Sequence, residues 1–430
     1  MKKKITLLRV IVTSFAMFSI FFGAGNFILP PRLGQQAGDH WLLVAIGFCL
    51  SAVLIPIAGI LVQARLQGSV LDFGKKVSPV VALILGCLLY GMCLAFPMPR
   101  TASVSYEMVS ASFTGTIPAW AKYFFYIVYF LLVGYLCYQR NKVLDVLGKY
   151  LTPIMVGIIF LLILKAIFSI SDIEISSFQK PLAEGLKEGY QTYDAMSSII
   201  IGGVISASLF MDNSLDKSQV KRLTIYSGIG SGILLFITYT GFIYAGASQG
   251  GYFPAIVERV PLLVAITKHV LGGVGGLLLS IAVGISCFTT AVGIITGGAD
   301  FFKEITKGGD ERTYRIFVTI LCVYCVIVAP YGVEYIIKIA YPVLVLFYPV
   351  VIVLVFLHLL PSYLASKTVF KVVSLVTFVT TIPLFLEQLG YHFFEVPFPL
   401  HEYGVSWLFP AFWAWITTVL IEKTIVKSKK

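Results

Sequence analysis

The sequence predicts an all-α polytopic membrane protein, and three observations support this fold class. Of the 430 residues, 58% are hydrophobic and only 12% are charged, about half the charged fraction of a typical soluble domain. Apolar segments of about 17 residues or more, the length that crosses a bilayer as a helix, recur along the whole chain. Most of the 32 Lys and Arg residues lie in alternate connections between these segments, as in proteins whose cytoplasmic loops are basic.

Hydropathy divides the chain into twelve predicted transmembrane helices. We place them at 11–30, 41–63, 78–110, 119–138, 146–169, 188–210, 223–247, 261–299, 315–330, 334–360, 370–389 and 405–422. The third and eighth segments are long enough to tilt strongly or to extend beyond the bilayer.

The positions of the basic residues predict the orientation. With the N-terminus inside, the basic clusters at both chain ends and in alternate short loops all face the cytoplasm, so both termini are expected there. The net charge of +11 is then explained by topology, and we expect a lipid bilayer and no nucleic acid as the partner.

Nothing in the sequence indicates an enzyme. The longest loops, near 171–187 and 390–404, are too short to hold a globular catalytic domain. No G-x-x-x-x-G-K-[ST] pattern for nucleotide binding is present. The remaining function classes are a carrier for small solutes and a channel.

The first segment contains an interruption in the run FFGAGNFILPP, from Phe21 to Pro31. Glycines, an amide side chain and a proline pair are costly in a lipid-exposed helix, because every backbone polar group there must be satisfied. Unwound backbone at mid-membrane offers N–H groups to an anionic ligand and carbonyls to a cation. The alternative is a small-residue face that packs closely on a neighbouring helix.

The sixth segment contains a similar irregularity. The run from Glu188 to Ala195 enters the membrane, and small or polar residues then interrupt the segment: Ser197, Ser198, Gly202 and Gly203. Two interrupted helices at corresponding positions of two five-helix halves indicate inverted repeats around a central site. Asp194 lies a few residues into this span, where it either serves the transport pathway or caps the helix at the outer surface.

The eighth segment contains two adjacent hydroxyls, Thr289 and Thr290, in the run from Ser286 to Thr290. With a carbonyl three residues earlier, these oxygens can surround one side of a small hard cation. The alternative is that they only bond back to the preceding helical turn.

Four motifs together resemble the bacterial branched-chain amino acid:cation symporter family, within the wider amino acid–polyamine–cation superfamily. They are FFGAGNFILPP, PMPRTASVSYE (Pro97 to Glu107), GYQTYDA (Gly189 to Ala195) and SCFTTAVG (Ser286 to Gly293). The resemblance implies a leucine-transporter-like fold of five-plus-five inverted helices and two further C-terminal helices. The corresponding regions are 1–170, 186–360 and 361–430.

The resemblance also implies uptake of leucine, isoleucine and valine across the bacterial cytoplasmic membrane, driven by Na⁺ or H⁺, with no other cofactor. It assigns substrate binding to Gly23, Ala24, Gly25, Asn26, Gln191, Thr192, Tyr193 and Asp194. It assigns Na⁺ to Asn26, the hydroxyls of Thr289 and Thr290, and the backbone carbonyls of Ser19, Phe22 and Ser286. The oligomeric state, the preferred amino acid and the helix-six residues that face the substrate stay open.

A charged pair in the third segment suggests a gate. Arg100 and Glu107 are seven residues apart near its outer half, so they form either an external gating pair or an ordinary interfacial ion pair. Two rival functions also stay open at this point. One is transport of another amino acid or small solute in the same superfamily, and the other is an ion channel or exchanger.

Overall fold

The computed structural model describes residues 6–66, 70–112, 117–139, 150–171, 173–176, 178–210, 215–254, 258–306, 309–391 and 399–428, and this part of the chain is helical without strands. Its α-helices are α1 Leu7–Phe21, α2 Ala24–Ala37, α3 Trp41–Cys49, α4 Ile55–Leu66, α5 Val70–Gly74, α6 Pro79–Ala95, α7 Pro97–Ser112, α8 Ala119–Tyr138, α9 Thr152–Phe168, α10 Pro181–Tyr190, α11 Asp194–Phe210, α12 Lys217–Gln249, α13 Arg259–Leu271, α14 Gly273–Ile305, α15 Glu311–Val328, α16 Val333–Leu359, α17 Lys367–Gln388 and α18 Leu408–Ser428.

The helices cover the twelve predicted segments in order. Among the described residues, eight helices are long and apolar enough to cross a membrane, and the bent pair α10–α11 makes a ninth. The first of these eight stretches, Ala24–Leu66, contains α2, α3 and α4, while α1 and α9 are shorter apolar helices. α18 covers the last predicted segment. Large apolar side chains such as Trp120, Leu131 and Leu420 point outward, each more than half exposed, as expected of a surface that lies in lipid.

Two spans are broken, as the sequence predicts. The first span is interrupted at Phe22 and Gly23, which separate α1 from α2. The sixth is interrupted at residues 191–193, where α10 and α11 are bent by 42° relative to each other. The first break is narrower than the predicted one, because Ala24 already begins the first turn of α2.

The small residues later in the sixth segment do not break it, which corrects the prediction that they interrupt the helix. α11 runs continuously from Asp194 to Phe210. Its small residues instead allow α4 to approach closely. A Cβ on Gly202 would lie 2.8 Å from Gln63 Cβ, and a Cβ on Gly59 would overlap the Ser198 hydroxyl. Close packing of small residues is common between membrane helices.

The predicted eighth segment is two helices and not one long tilted helix. α13 ends at Leu271, and Gly272 has a φ of +71°. This left-handed conformation is accessible to glycine and ends the helix. α14 then begins at Gly273 and forms the eighth span alone.

Helices α2 and α12 pack closely enough to bring the first span against the seventh. A Cβ on Gly34 would lie 1.9 Å from the carbonyl oxygen of Ile243, and one on Gly246 would lie 2.0 Å from that of Pro31. Only glycine fits at both positions, because the backbones touch. This contact fixes α12 so that Tyr239, two turns before Gly246, reaches the start of α2.

Candidate functional site

The break in the first span leaves backbone donors unpaired inside the protein. The Gly23 N–H donates to the Phe21 carbonyl at 2.8 Å and also to Asn26 Oδ1 at 3.3 Å, so the Asn26 side chain helps to cap its own helix. The next two N–H groups, those of Ala24 and Gly25, have no hydrogen-bond partner in the described part of the chain. Both residues are buried. The N-terminus of α2 therefore presents free N–H groups and the positive end of its dipole to the interior.

Asn26, Asp194 and Tyr239 form a buried polar group, which we call the Asp194 cluster. Asn26 Nδ2 lies 3.2 and 3.1 Å from the two carboxylate oxygens of Asp194. The Tyr239 hydroxyl donates to Asp194 Oδ2 at 2.6 Å, and it also contacts Asn26 Nδ2. Asp194 is 1% exposed, and no Lys, Arg or His within the described ranges forms an ion pair with it. A buried carboxylate that is surrounded only by neutral hydrogen-bond donors is costly, and binding of a proton or a cation lowers that cost.

The second break turns Asp194 away from its own helix and toward this cluster. Tyr193 has a φ of +64°, a rare conformation for a bulky residue. The Thr192 hydroxyl accepts a hydrogen bond from the Asp194 N–H at 3.3 Å and so takes the place of a helix cap. The Tyr348 hydroxyl accepts from the next N–H, that of Ala195, at 3.1 Å. The Asp194 carboxylate is thus not an external helix cap.

The predicted cation ligands of the first and eighth spans lie together at the interface of α1 and α14. Thr289 Oγ1 donates to the Ser19 carbonyl at 2.9 Å, and Thr290 Oγ1 lies 3.1 Å from the same oxygen. The Ser286 hydroxyl donates to the Phe22 carbonyl. Thr289 Oγ1 also lies 2.9 Å from the Ser286 carbonyl, so its single proton can go to either carbonyl. All of these residues are buried. Asn26, the remaining predicted ligand, belongs to the Asp194 cluster.

Among the described residues, the candidate cation ligands at this interface are neutral oxygens. That set suits an alkali cation, which binds carbonyl and hydroxyl oxygens. In the residues that the structure covers, no group of three or more His, Cys, Asp or Glu is placed to hold a metal ion.

Arg100 lies between the two helix breaks and not at a surface gate. It is 3% exposed, and its Nη2 donates to the backbone carbonyl of Gln191 at 3.3 Å. A Cβ on Gly25 would lie 2.5 Å from the same nitrogen. Glu107 has a different partner, the Val333 N–H at 3.4 Å. No ion pair joins Arg100 to Glu107 in this conformation of the described residues, so the predicted gating pair is not formed here.

A second charged group, which the sequence analysis missed, joins three helices. Arg259 lies 3.3 Å from Glu188 Oε1 and 2.5 Å from Glu334 Oε2. Gln191 Nε2 donates to the other Glu188 oxygen at 2.6 Å. We call Glu188, Arg259 and Glu334 the outer ion-pair network, after the side on which the predicted topology places them. The sequence does contain a signal for this network. All three residues lie at or just before the starts of the sixth, eighth and tenth predicted segments, on the side of the membrane where the loops have few basic residues.

Comparison with known proteins identifies the family. Residues 7–425 match the family model described as branched-chain amino acid transport protein. The chain belongs to this family. The branched-chain amino acid permease BrnQ of Bacillus subtilis is 30% identical, over 96% of each chain. The branched-chain amino acid permease BraB of the same species is 29% identical, over 95% of this chain and 94% of its own. The branched-chain amino acid transport system 2 carrier protein of Pseudomonas aeruginosa is 30% identical, over 98% of each chain.

Solved structures confirm the fold of this branched-chain amino acid transport protein. MhsT in complex with L-phenylalanine superposes with a TM-score of 0.57 over 98% of each chain, at 14% identity. A manganese transporter of Eremococcus coleocola superposes with a TM-score of 0.57, over 97% of this chain and 94% of its own, at 16% identity. At these identities the likeness concerns the fold alone, which is the leucine-transporter-like fold that the sequence predicts.

Proposed function

We propose that this family member imports leucine, isoleucine and valine into the bacterial cytoplasm by alternating access, with Na⁺ or H⁺ as the coupling ion. The observation that carries the proposal is the meeting of two broken helices at the buried Asp194 cluster. A broken-helix pair at mid-membrane is the usual site of substrate binding in transporters of this architecture. The names of the similar permeases supply the proposed substrate class.

The proposed topology places both termini in the cytoplasm. Regions 1–170 and 186–360 are the two inverted repeats, and 361–430 adds the last two helices. In this orientation the outer ion-pair network faces the outside and the basic chain ends face the cytoplasm.

The amino acid is proposed to bind between the two breaks. The free N–H groups of Ala24 and Gly25 suit its carboxylate, and Asp194 suits its ammonium group. Gln191, Thr192 and Tyr193 complete the wall around the second break. One methylene is worth about 1–3 kcal/mol in an apolar pocket, so leucine, isoleucine and valine are expected to compete with one another.

The coupling cation is proposed to bind at the interface of α1 and α14, on the oxygens of Ser19, Phe22, Ser286, Thr289 and Thr290. A cation there would attract the carbonyl oxygens that α1 presents at its end and the hydroxyls of α14. The hydroxyls now donate to the Ser19 and Phe22 carbonyls, and they can rotate to direct lone pairs at a cation. Occupancy would thus favour the conformation in which α1 lies against α14.

A cavity at the other ends of the sixth and eighth spans from the outer ion-pair network, mainly apolar but with three polar side chains, supports a release path. Its volume is about 300 Å³, and its lining includes Ser206 of α11 together with Asp300 and Glu304 of α14. These residues lie at the ends of the sixth and eighth spans, which are cytoplasmic in the proposed topology.

Counterflow in proteoliposomes tests the proposal. Purified protein is reconstituted with unlabelled leucine inside, and uptake of labelled leucine is measured with and without a Na⁺ gradient and with and without a pH gradient. We expect transient accumulation that excess isoleucine or valine abolishes and that one of the two gradients increases. Accumulation of another amino acid but not leucine would refute the substrate assignment, and leucine-independent ion flux would indicate a channel.

A further inference from the structure

Arg100 is a buried cation without an acidic partner. Its side chain is 3% exposed. Its Nη2 donates to the Gln191 backbone carbonyl, and its Cζ lies over the Tyr193 ring, 5.8 Å from the ring centroid. Its Nε has no hydrogen-bond partner in the described part of the chain, and none of the ion pairs found there includes Arg100. Burial of a guanidinium is costly unless an anion compensates it. The position therefore suits an anion that arrives from outside the chain.

The guanidinium is directed at the N-terminus of α2. A Cβ on Gly25 would lie 2.5 Å from Arg100 Nη2 and 3.2 Å from Cζ. The unpaired N–H groups of Ala24 and Gly25 belong to the same turn. A guanidinium and free helix N-terminal N–H groups at one point are both donors suited to a carboxylate. A side chain at residue 25 would displace the guanidinium from this position.

We propose that Arg100 binds the substrate carboxylate, together with the N–H groups of Ala24 and Gly25, and thereby makes the site specific for amino acids with a free carboxylate. This inference rests on the proposed function. Asp194 lies across the same two breaks and takes the ammonium end. A zwitterion that spans Arg100 and Asp194 neutralises both buried charges at once, while an amine or an amino acid amide leaves Arg100 without its anion.

The test compares ligands that differ only at the carboxylate. Dissociation constants for leucine and for leucinamide are measured by calorimetry on the purified full-length chain, for the wild type and for Arg100→Gln. We expect leucine binding to weaken about 30-fold or more, the scale of losing one partner of a buried charge pair. Leucinamide binding should weaken less than about three-fold, since its neutral amide gains little from a guanidinium.

Three further variants keep the test decisive. Arg100→Lys, which retains a cation, should preserve part of the preference for leucine over leucinamide. Gly25→Ala should reduce that preference because its methyl group displaces the guanidinium. Ser103→Ala is the matched control on the same helix. It removes a buried hydrogen bond of 2.7 Å to the Ala329 carbonyl and should leave the preference unchanged.

The outcomes separate the two proposals. If the wild type binds no leucine, the proposed function is refuted. If the wild type binds leucine but both ligands weaken equally in Arg100→Gln, Arg100 is only a structural residue and the carboxylate assignment is refuted. If Arg100→Gln does not fold, the other two variants decide. An unaltered preference for leucine over leucinamide in both Arg100→Lys and Gly25→Ala would also refute the carboxylate assignment.

Discussion

Asn26 donates its side-chain amide to both carboxylate oxygens of Asp194, at 3.2 and 3.1 Å, although 168 residues separate the two in the sequence. Each residue lies in the first turn after a break, Asn26 in α2 and Asp194 in α11. The bond therefore joins the two interrupted spans at the point where their backbones are irregular. Any movement of one proposed repeat against the other changes the surroundings of this carboxylate.

The charge on Asp194 is expected to be essential. Asp194→Asn preserves volume and polarity but removes the group that attracts an ammonium ion or a proton. Leucine uptake in proteoliposomes should fall about ten-fold or more, a loss of at least about 1.4 kcal/mol of binding. If protons are the coupling ion, the pH dependence of the remaining uptake should also flatten.

Asp310→Asn is the matched control for Asp194→Asn. Asp310 caps α15 through a 2.8 Å bond from the Thr313 N–H, and Asn is an equally good cap. This variant should transport like the wild type. Wild-type kinetics in Asp194→Asn would exclude Asp194 from the transport site.

Gly25→Val is expected to abolish leucine uptake while leaving the protein in the membrane. The new Cβ would lie 2.5 Å from Arg100 Nη2, and the branched side chain would cover the free N–H groups of the same turn. Gly157→Val, at a glycine whose Cβ would meet no atom within 4 Å, controls for the substitution itself. Substantial uptake by Gly25→Val at wild-type abundance would contradict the site at the first break.

Thr290→Ala is expected to weaken the apparent affinity for Na⁺ more than the affinity for leucine at saturating Na⁺. The change removes one oxygen that now lies 3.1 Å from the Ser19 carbonyl. Loss of one neutral partner costs about 1–2 kcal/mol, or roughly ten-fold in the Na⁺ concentration for half-maximal uptake. Thr296→Ala, on the same helix, should change neither value, because the Thr296 hydroxyl is not among the oxygens that meet α1. An unchanged Na⁺ dependence in Thr290→Ala would exclude this interface as the coupling site.

The sequence predicts those parts of the site whose cause is local. Two glycines, an asparagine and a proline pair within eleven residues weaken the first helix locally. The break in the first span therefore lies within the run in which the sequence predicts it. The glycines of the sixth segment show the limit of this reasoning. Gly202 packs against Gln63 and leaves the helix intact, because a small residue serves a break and a close contact equally well. Only the neighbouring helix decides between them.

The roles that the sequence analysis missed or misassigned depend on distant partners. Tyr239 reaches Asp194 only because α2 and α12 touch at Gly34 and Gly246. Arg100 and Glu107 looked like a pair because they share a helix, yet the fold directs Arg100 inward to Gln191 and leaves Glu107 beside Val333. Spacing along one helix predicts which residues share a face but not which helix lies opposite.

The outer ion-pair network is expected to hold the outer side of the site closed. Arg259 bridges Glu188 of α10 and Glu334 of α16, so Arg259→Gln leaves two carboxylates without their shared cation. The charged side chains of the network are about one-fifth to one-half exposed. We therefore expect Arg259→Gln to lower the stability of the closed arrangement of these helices by about 1–3 kcal/mol, between the values for surface and buried ion pairs. Hydrogen exchange should accelerate in Pro181–Tyr190, while leucine binding persists and uptake falls several-fold.

Lys187→Gln is the control for Arg259→Gln, because it breaks the 3.2 Å pair with Glu184 on the same helix and should leave exchange and uptake unchanged. Equal exchange in the two variants would show that the network does not restrain the outer helices, and closure would then depend on apolar packing alone.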